Sequence, residues 1–210
     1  MIYAIGDIHG SLKTLDALLA KLPYEAEDTL VFLGDYIDRG PDSRGVIERL
    51  IQLLDEHENL VFLRGNHEQL CLDAMRAGPG TEAWKTWMDP RNRGDATLDS
   101  YGGYPDASHL LMMTSLPFFY ETDEYFFCHA GVDPLYPLHQ QPRDTLLWMR
   151  EPFIQSSLDY GKKIVFGHTM MEEVFITHNR IGVDSGCGKQ RKLSAVALPS
   201  MQVYSVAYAG

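Results

Sequence analysis

The chain is poor in cysteine, poor in positive charge, and has no long apolar run. Its three cysteines, Cys71, Cys128 and Cys187, lie far apart and form no CxxC pair. That excludes a disulfide framework and a cysteine-type structural zinc site, and it suits a reducing compartment. Lysine and arginine total 18 against 29 aspartates and glutamates, a formal net charge of -11. Without a basic cluster, a duplex-binding surface that works by neutralising phosphates is not expected. A small phosphate-bearing substrate stays open, because local charge can oppose net charge. No stretch approaches the ~18 uncharged apolar residues of a membrane span. The start "MIYAIGDIHG" lacks the basic-then-apolar pattern of a leader. The expectation is a cytoplasmic protein with neither membrane nor nucleic acid as partner.

What is present describes an ordinary globular domain. With 210 residues, 45% hydrophobic and 22% charged, the chain can bury a real core as a single domain over 1–210. Its first half alternates short apolar runs with helical patterns. "MIYAIG", "TLVFLG" and "NLVFLRG" read as strands. Between the first two, Leu12, Leu15, Leu18, Leu19 and Leu22 share a helical face, with Ser11 as a plausible N-cap. Before the third, Val46, Ile47, Leu50, Ile51 and Leu54 share another, with Ser43 as its cap. A further helix is expected from about His67 to Ala77. This βαβαβ rhythm implies parallel strands covered by helices.

Residues 78–106 break the rhythm with glycine, proline and aromatics, and read as an insertion or lid beside a site. The second half is richer in strand patterns, among them "YFFCHAG", "KIVFGH", "EVFITH" and "RIGVDSG". "THNRIG" and "LPSMQ" suit hairpin turns. The fold class expected is a mixed α/β domain, parallel first and more antiparallel later.

Polar blocks follow the apolar runs. "GDIHG" spans 6–10, "GDYIDRG" 34–40, "RGNHE" 64–68, "CHAG" 128–131 and "GHT" 167–169. Each begins where an expected strand runs out, and the carboxyl ends of parallel strands are where ligands usually bind. The blocks therefore converge. They bring oxygen and imidazole donors with no thiolate, a set suited to divalent ions such as Mn²⁺, Fe or Zn²⁺. Asp7 and His9, two apart at a strand end, face the same way and fit one ion.

The ordered set resembles the phosphoprotein phosphatase family of calcineurin-like metallophosphoesterases, from roughly Gly6 to Gly188. "GDYIDRG" followed by "RGNHE" is the most specific part of the match. The resemblance implies two mixed β-sheets packed as a central sandwich flanked by helices. It also implies two divalent ions per chain, Mn²⁺ favoured over Fe or Zn²⁺. Asp7 and His9 would bind the first ion, Asp35 would bridge both, and Asn66, His129 and His168 would complete the second. A bridging carboxylate suits ions held ~3.5–4 Å apart. Arg39 would grip phosphate with its planar fork. His67 would protonate the leaving group, oriented by Asp38, and Arg150 in "LLWMREPF" would be a second phosphate-binding arginine. The implied reaction is single-step, in-line attack on phosphorus by metal-activated hydroxide.

Each residue also has a simpler reading. Asp7 could cap the helix near Ser11; Asp35, Asp38 and Asp42 could be turn aspartates; His129 and His168 could be ordinary strand-end histidines. Their joint occurrence in this order favours the site. Elsewhere the simpler reading is preferred. His57 and His109 are expected to be solvated or helix-capping, and His139 and His178 to lie in loops. Glu68 is expected to support the helix start, Cys128 to pack in a strand, and Trp84 and Trp87 to be core. Nothing marks Cys187 as a nucleophile.

"NRGDATLDSYGG" resembles a segment of compact bacterial and phage phosphatases. The reading favoured is a serine/threonine protein phosphatase, with tyrosine tolerance allowed, acting on phosphorylated proteins, peptides or small phosphoesters. Symmetrical dinucleoside tetraphosphate hydrolysis is the enzymatic alternative. A phosphopeptide-binding metal scaffold without turnover is the non-enzymatic one.

Overall fold

Apolar runs become strands here because neighbouring side chains are buried on opposite faces. The computed structural model describes all residues 1–210. Its strands are β1 (Ile2–Ile5), β2 (Thr29–Phe32), β3 (Leu60–Phe62), β4 (Phe119–Glu121) and β5 (Tyr125–Cys128), followed by β6 (Lys163–Phe166), β7 (Phe175–Ile176), β8 (Arg180–Gly182), β9 (Lys192–Leu198) and β10 (Gln202–Ala207). They form two five-stranded sheets, ordered β10-β9-β1-β2-β3 and β4-β5-β6-β8-β7.

Tyr3, Ile5, Leu30 and Phe32 point from the first sheet into one apolar cluster, while Ala4 and Val31 point into a second. Tyr125, Phe127 and Val165 of the second sheet meet that second cluster, and Phe126, Cys128, Ile164 and Phe166 face a third. The two sheets thus share the middle cluster as a sandwich. Helices α1 (Leu12–Lys21), α2 (Ser43–Glu56) and α3 (Asn66–Ala77) cover the first sheet's outer face. Each large side chain so buried stabilises the fold by roughly 1.5–3 kcal/mol.

Both sheets carry a parallel core. β1, β2 and β3 run parallel, with β9 and β10 added antiparallel. β5, β6 and β8 run parallel, with β4 and β7 antiparallel at the edges. The second half is therefore less antiparallel than its hairpin signals suggest. The β7–β8 and β9–β10 hairpins form as read, but β5, β6 and β8 are joined by long crossovers that strand patterns alone do not reveal.

Local expectations shift in three places. The α2 N-cap is Asp42, whose Oδ1 accepts from Gly45 N at 2.8 Å, while Ser43 Oγ accepts from Asp38 N. On α2 it is Leu53 that is buried, whereas Ile51 is 36% and Leu54 54% exposed; the helix meets the sheet about one position round from the face expected. His57 and His109 are buried rather than solvated, although His57 does take the capping role, as the C-cap of α2. His57 Nε2 bonds Asp28 O at 2.7 Å, and Tyr101 Oη lies 2.8 Å from His109 Nδ1.

Residues 78–106 hold two short helices, α4 (Glu82–Trp87) and α5 (Gly94–Tyr101). Trp87 is fully buried with the first sheet's outer core, and Trp84 packs against it edge-on at 5.8 Å. Helices α6 (Ala107–Ser115) and α7 (Arg143–Trp148) complete the fold. No helix is long and apolar enough to cross a membrane.

Candidate metallophosphoesterase site

The carboxyl ends of both parallel cores open onto the same cleft. Asp7 and His9 follow β1, Asp35 to Arg39 follow β2, and Asn66 and His67 form the first turn of α3 after β3. His129 follows β5 and His168 follows β6. The backbone is bent hard there. His9, Asp35, Asp38, Arg39 and His168 all adopt left-handed φ between 50° and 70°, a conformation disfavoured for residues with a Cβ. Loops this strained persist only where the surroundings hold them. Glu68 does so by accepting from the backbone N–H groups of Gly65, Asp35 and Tyr36 at 2.8–2.9 Å. Gly65 and Gly167 permit close approach: a Cβ on either would stand 2.2 Å from an oxygen of Asp35 or Asp7.

Asp35 occupies the centre. Its Oδ2 lies 3.5 Å from His9 Nε2 and 3.9 Å from His67 Nε2, and its Oδ1 lies 3.4 Å from His129 Nε2. Two buried trios result, His9–Asp35–His67 and Asp35–His129–His168, each with donor atoms within 4.8 Å of one another. Asn66 Oδ1 joins the second at 2.9 Å from His129 Nε2. Asp7 belongs to neither trio, and both its oxygens accept from His168 N at 3.1 Å. That bond, and the absence of any side-chain cap at Ser11, removes the helix-capping reading of Asp7.

Ring orientation separates the histidines. His9 Nδ1 is 3.0 Å from Ile37 O and His129 Nδ1 is 2.8 Å from Leu33 O, so each donates there and turns an Nε2 lone pair inward. Burial holds both below the ordinary histidine value, with Arg39 adding to the effect on His9. His168 is pushed down to about 2 by burial and by His129 and Arg150, and its Nε2 is buried without a partner. His67 differs, because its Nδ1 meets the Asp38 carboxylate at 2.7 Å. Burial opposes a charge on His67, but Asp35 and Asp38 together raise its pKa above the ordinary value.

The carboxylates are crowded. Burial, Asp184 and Asp35 raise Asp7 well above its usual range. Asp184, just past β8, is raised to about 6 by burial, with the Asp35 charge adding to it. Asp35 is held well below the usual carboxylate range; burial works against this, and the four neighbouring histidines outweigh it. Inward lone pairs, an orphaned imidazole nitrogen and three buried carboxyl groups call for positive charge, and the donor set fits divalent ions. One cation already reaches it, since Arg39 Nη1 lies 2.7 Å from His9 Nε2.

The cavity above has a volume of about 330 Å³ and is walled by Arg39, Arg91, Arg150 and Lys189, with Trp148 and Met170 as its apolar members. Arg150 is exposed, and its Nη1 reaches Thr169 Oγ1 at 3.4 Å. Comparison with known proteins agrees with this architecture. The model of the calcineurin-like phosphoesterases matches residues 1–197. The chain belongs to that family. As a family member it is a metallophosphoesterase hydrolase, and the motif resemblance to the phosphoprotein phosphatases holds.

Serine/threonine-protein phosphatase 2 of Escherichia coli is 28% identical, over 92% of this chain and 90% of its own. The asymmetrical bis(5'-nucleosyl)-tetraphosphatase PrpE of Oceanobacillus iheyensis is 27% identical, over 97% and 90%. A solved structure provisionally named diadenosine tetraphosphatase superposes with a TM-score of 0.79 at 24% identity, covering 100% of this chain and 94% of that one.

All ten candidate residues named from the motifs line this cleft or contact a residue that does. Four others were missed. Asp184 follows the strand "RIG" as the other blocks follow theirs, so the strand-end rule applied once more would have found it. Arg91, Asn92 and Lys189 reach the cavity from loops and carry no pattern of their own.

Proposed function

We propose that the protein is a two-metal phosphomonoester hydrolase of the serine/threonine protein phosphatase type. The observation that carries this is Asp35, shared by two buried trios of donors, with the Asp38-bonded His67 beside it. His9, Asp35 and Asp7 would hold one ion, and Asp35, Asn66, His129 and His168 the other. Two divalent ions there would supply Lewis-acid activation of water and neutralise phosphate charge.

The chain's own groups do the rest. The Arg39 and Arg150 guanidiniums face the cavity and suit phosphate oxygens through paired donors. His67 delivers the proton that a departing serine or threonine alkoxide needs. Asp38 keeps the His67 ring in the tautomer whose Nε2 faces the reaction. No side chain has to become a nucleophile, and Cys187 is buried with its thiol pushed up to about 11 by that burial. An open cleft with few apolar walls suits phosphate presented on a protein surface.

A second reading is favoured by Arg91 and Lys189. These two further cations on the cavity wall suit an extended phosphate chain such as a dinucleoside tetraphosphate. Parallel assays with Mn²⁺ on a phosphoserine peptide, an aryl phosphate and diadenosine tetraphosphate separate the readings. Faster turnover of the peptide supports the first. Preference for the tetraphosphate replaces it, with nucleoside diphosphates as sole products marking symmetrical cleavage. Absence of phosphate release from every substrate leaves a binding scaffold. His67→Asn should keep its metal yet lose ~10²–10⁴ in kcat on an alkyl phosphate; unchanged kcat removes His67 from the acid's role.

A further inference from the structure

Asp38 does more than orient His67 through one oxygen. Its Oδ2 accepts from His67 Nδ1 at 2.7 Å, and the rest of the carboxylate is turned towards residues 78–106. Trp87 Nε1, at the end of α4, lies 3.0 Å from Oδ2 and 3.1 Å from Oδ1. Thr97 Oγ1, in the middle of α5, donates to Oδ1 at 2.6 Å and accepts from Asp38 N at 2.9 Å. Asp38, Trp87 and Thr97 are all completely buried. Beside His67, it is Trp87 and Thr97 that supply the side-chain hydrogen bonds to the Asp38 carboxylate. An indole N–H can only donate, and the threonine hydroxyl proton is committed to Oδ1. Both therefore fix the carboxylate without adding charge to the site.

We infer that Trp87 and Thr97 are positioning residues for the leaving-group proton, and that α4 and α5 serve the reaction by clamping Asp38. This rests on the reading of His67 as the acid. The clamp links a segment with no motif of its own to the histidine that must line up with the leaving group. Its loss would let Asp38 rotate and His67 with it, while the metal donors, which neither residue touches, stay in place.

Two variants test it. Trp87→Phe keeps an aromatic ring and loses the donor; Thr97→Val keeps the shape and loses the hydroxyl. Each should lower kcat about tenfold on a phosphoserine peptide, part of the ~10²–10⁴ attributed to the acid itself. KM should stay within about twofold, and an aryl phosphate with an activated leaving group should lose no more than about twofold, because it needs little proton assistance. Elemental analysis should find the wild-type metal content. In Zn²⁺-loaded protein, the proton on His67 Nδ1 should exchange faster with solvent in both variants, read by ¹⁵N-resolved NMR.

Equal losses on alkyl and aryl substrates would reveal a general packing effect and overturn the inference. So would wild-type kinetics with an unchanged Nδ1 proton. His67→Asn is the control that keeps two failures apart. If it shows no leaving-group-dependent loss, the acid reading itself falls. If it does while both clamp variants match the wild type, only the clamp falls.

Discussion

The two sheets contribute to one cleft in unlike ways. After β1, β2 and β3 the chain leads on into α1, α2 and α3, and seven candidate residues lie in these links or in the first turn of α3. After β5, β6 and β8 no α-helix follows at once, and each strand end delivers a single residue to the cleft, His129, His168 or Asp184. The first sheet brings Asp7, His9, Asp35 and Asn66 together with His67, the proposed acid, and Arg39. The second supplies imidazoles, a carboxyl group and Arg150. A site assembled this way depends on the register between two sheets, which the shared cluster of Val31, Leu33, Leu63, Phe127, Val165 and Val183 maintains.

If the halves are joined electrostatically through Asp35, Asp35→Asn should have the largest effect. Binding of both ions should be lost together and turnover should fall towards background. Elemental analysis finding two ions per chain at wild-type affinity would refute the bridge. His168→Ala should break the symmetry instead. The second sheet's ion should weaken by more than the ~10–100-fold typical of an outer hydrogen-bond partner, while the first is retained. Titration showing both ions weakened equally would mean the trios are not separable. Gly167→Ala removes no donor and should have the smallest effect on metal binding, but its new Cβ would stand 2.2 Å from Asp7 Oδ1 and press the β1 and β6 turns apart. The strain should cost about 1–3 kcal/mol in chemical denaturation. A wild-type midpoint would show that the two sheet edges tolerate sliding.

Much of this contrast was legible in the residues. The blocks of the first half sit in runs such as "GDYIDRG" and "RGNHE", where several functional residues share one turn. Glu68 was read correctly as support for the start of α3, since it accepts from the Gly65 amide at the N-cap, and it holds the Asp35 amide as well. Asp184 was not found, although it follows its strand as the other blocks do, because no second donor beside it in "VDSG" drew the strand-end rule there. The burial of His57 was likewise hidden, as it depends on Asp28, a partner 29 residues away.

By itself the sequence determined which apolar runs become strands, which turns follow them and which donors those turns carry. All of that is local: period-two burial, glycines at close approaches, and side chains within a few residues of a strand end. Only the tertiary structure decided that the second sheet also has a parallel core, β5, β6 and β8, whose strand ends face the cleft. It also decided that Asp38 is held from the far side by Trp87 and Thr97. Such pairings join residues tens of positions apart through buried hydrogen bonds, and no periodicity in the chain records which distant donor a buried carboxylate will meet.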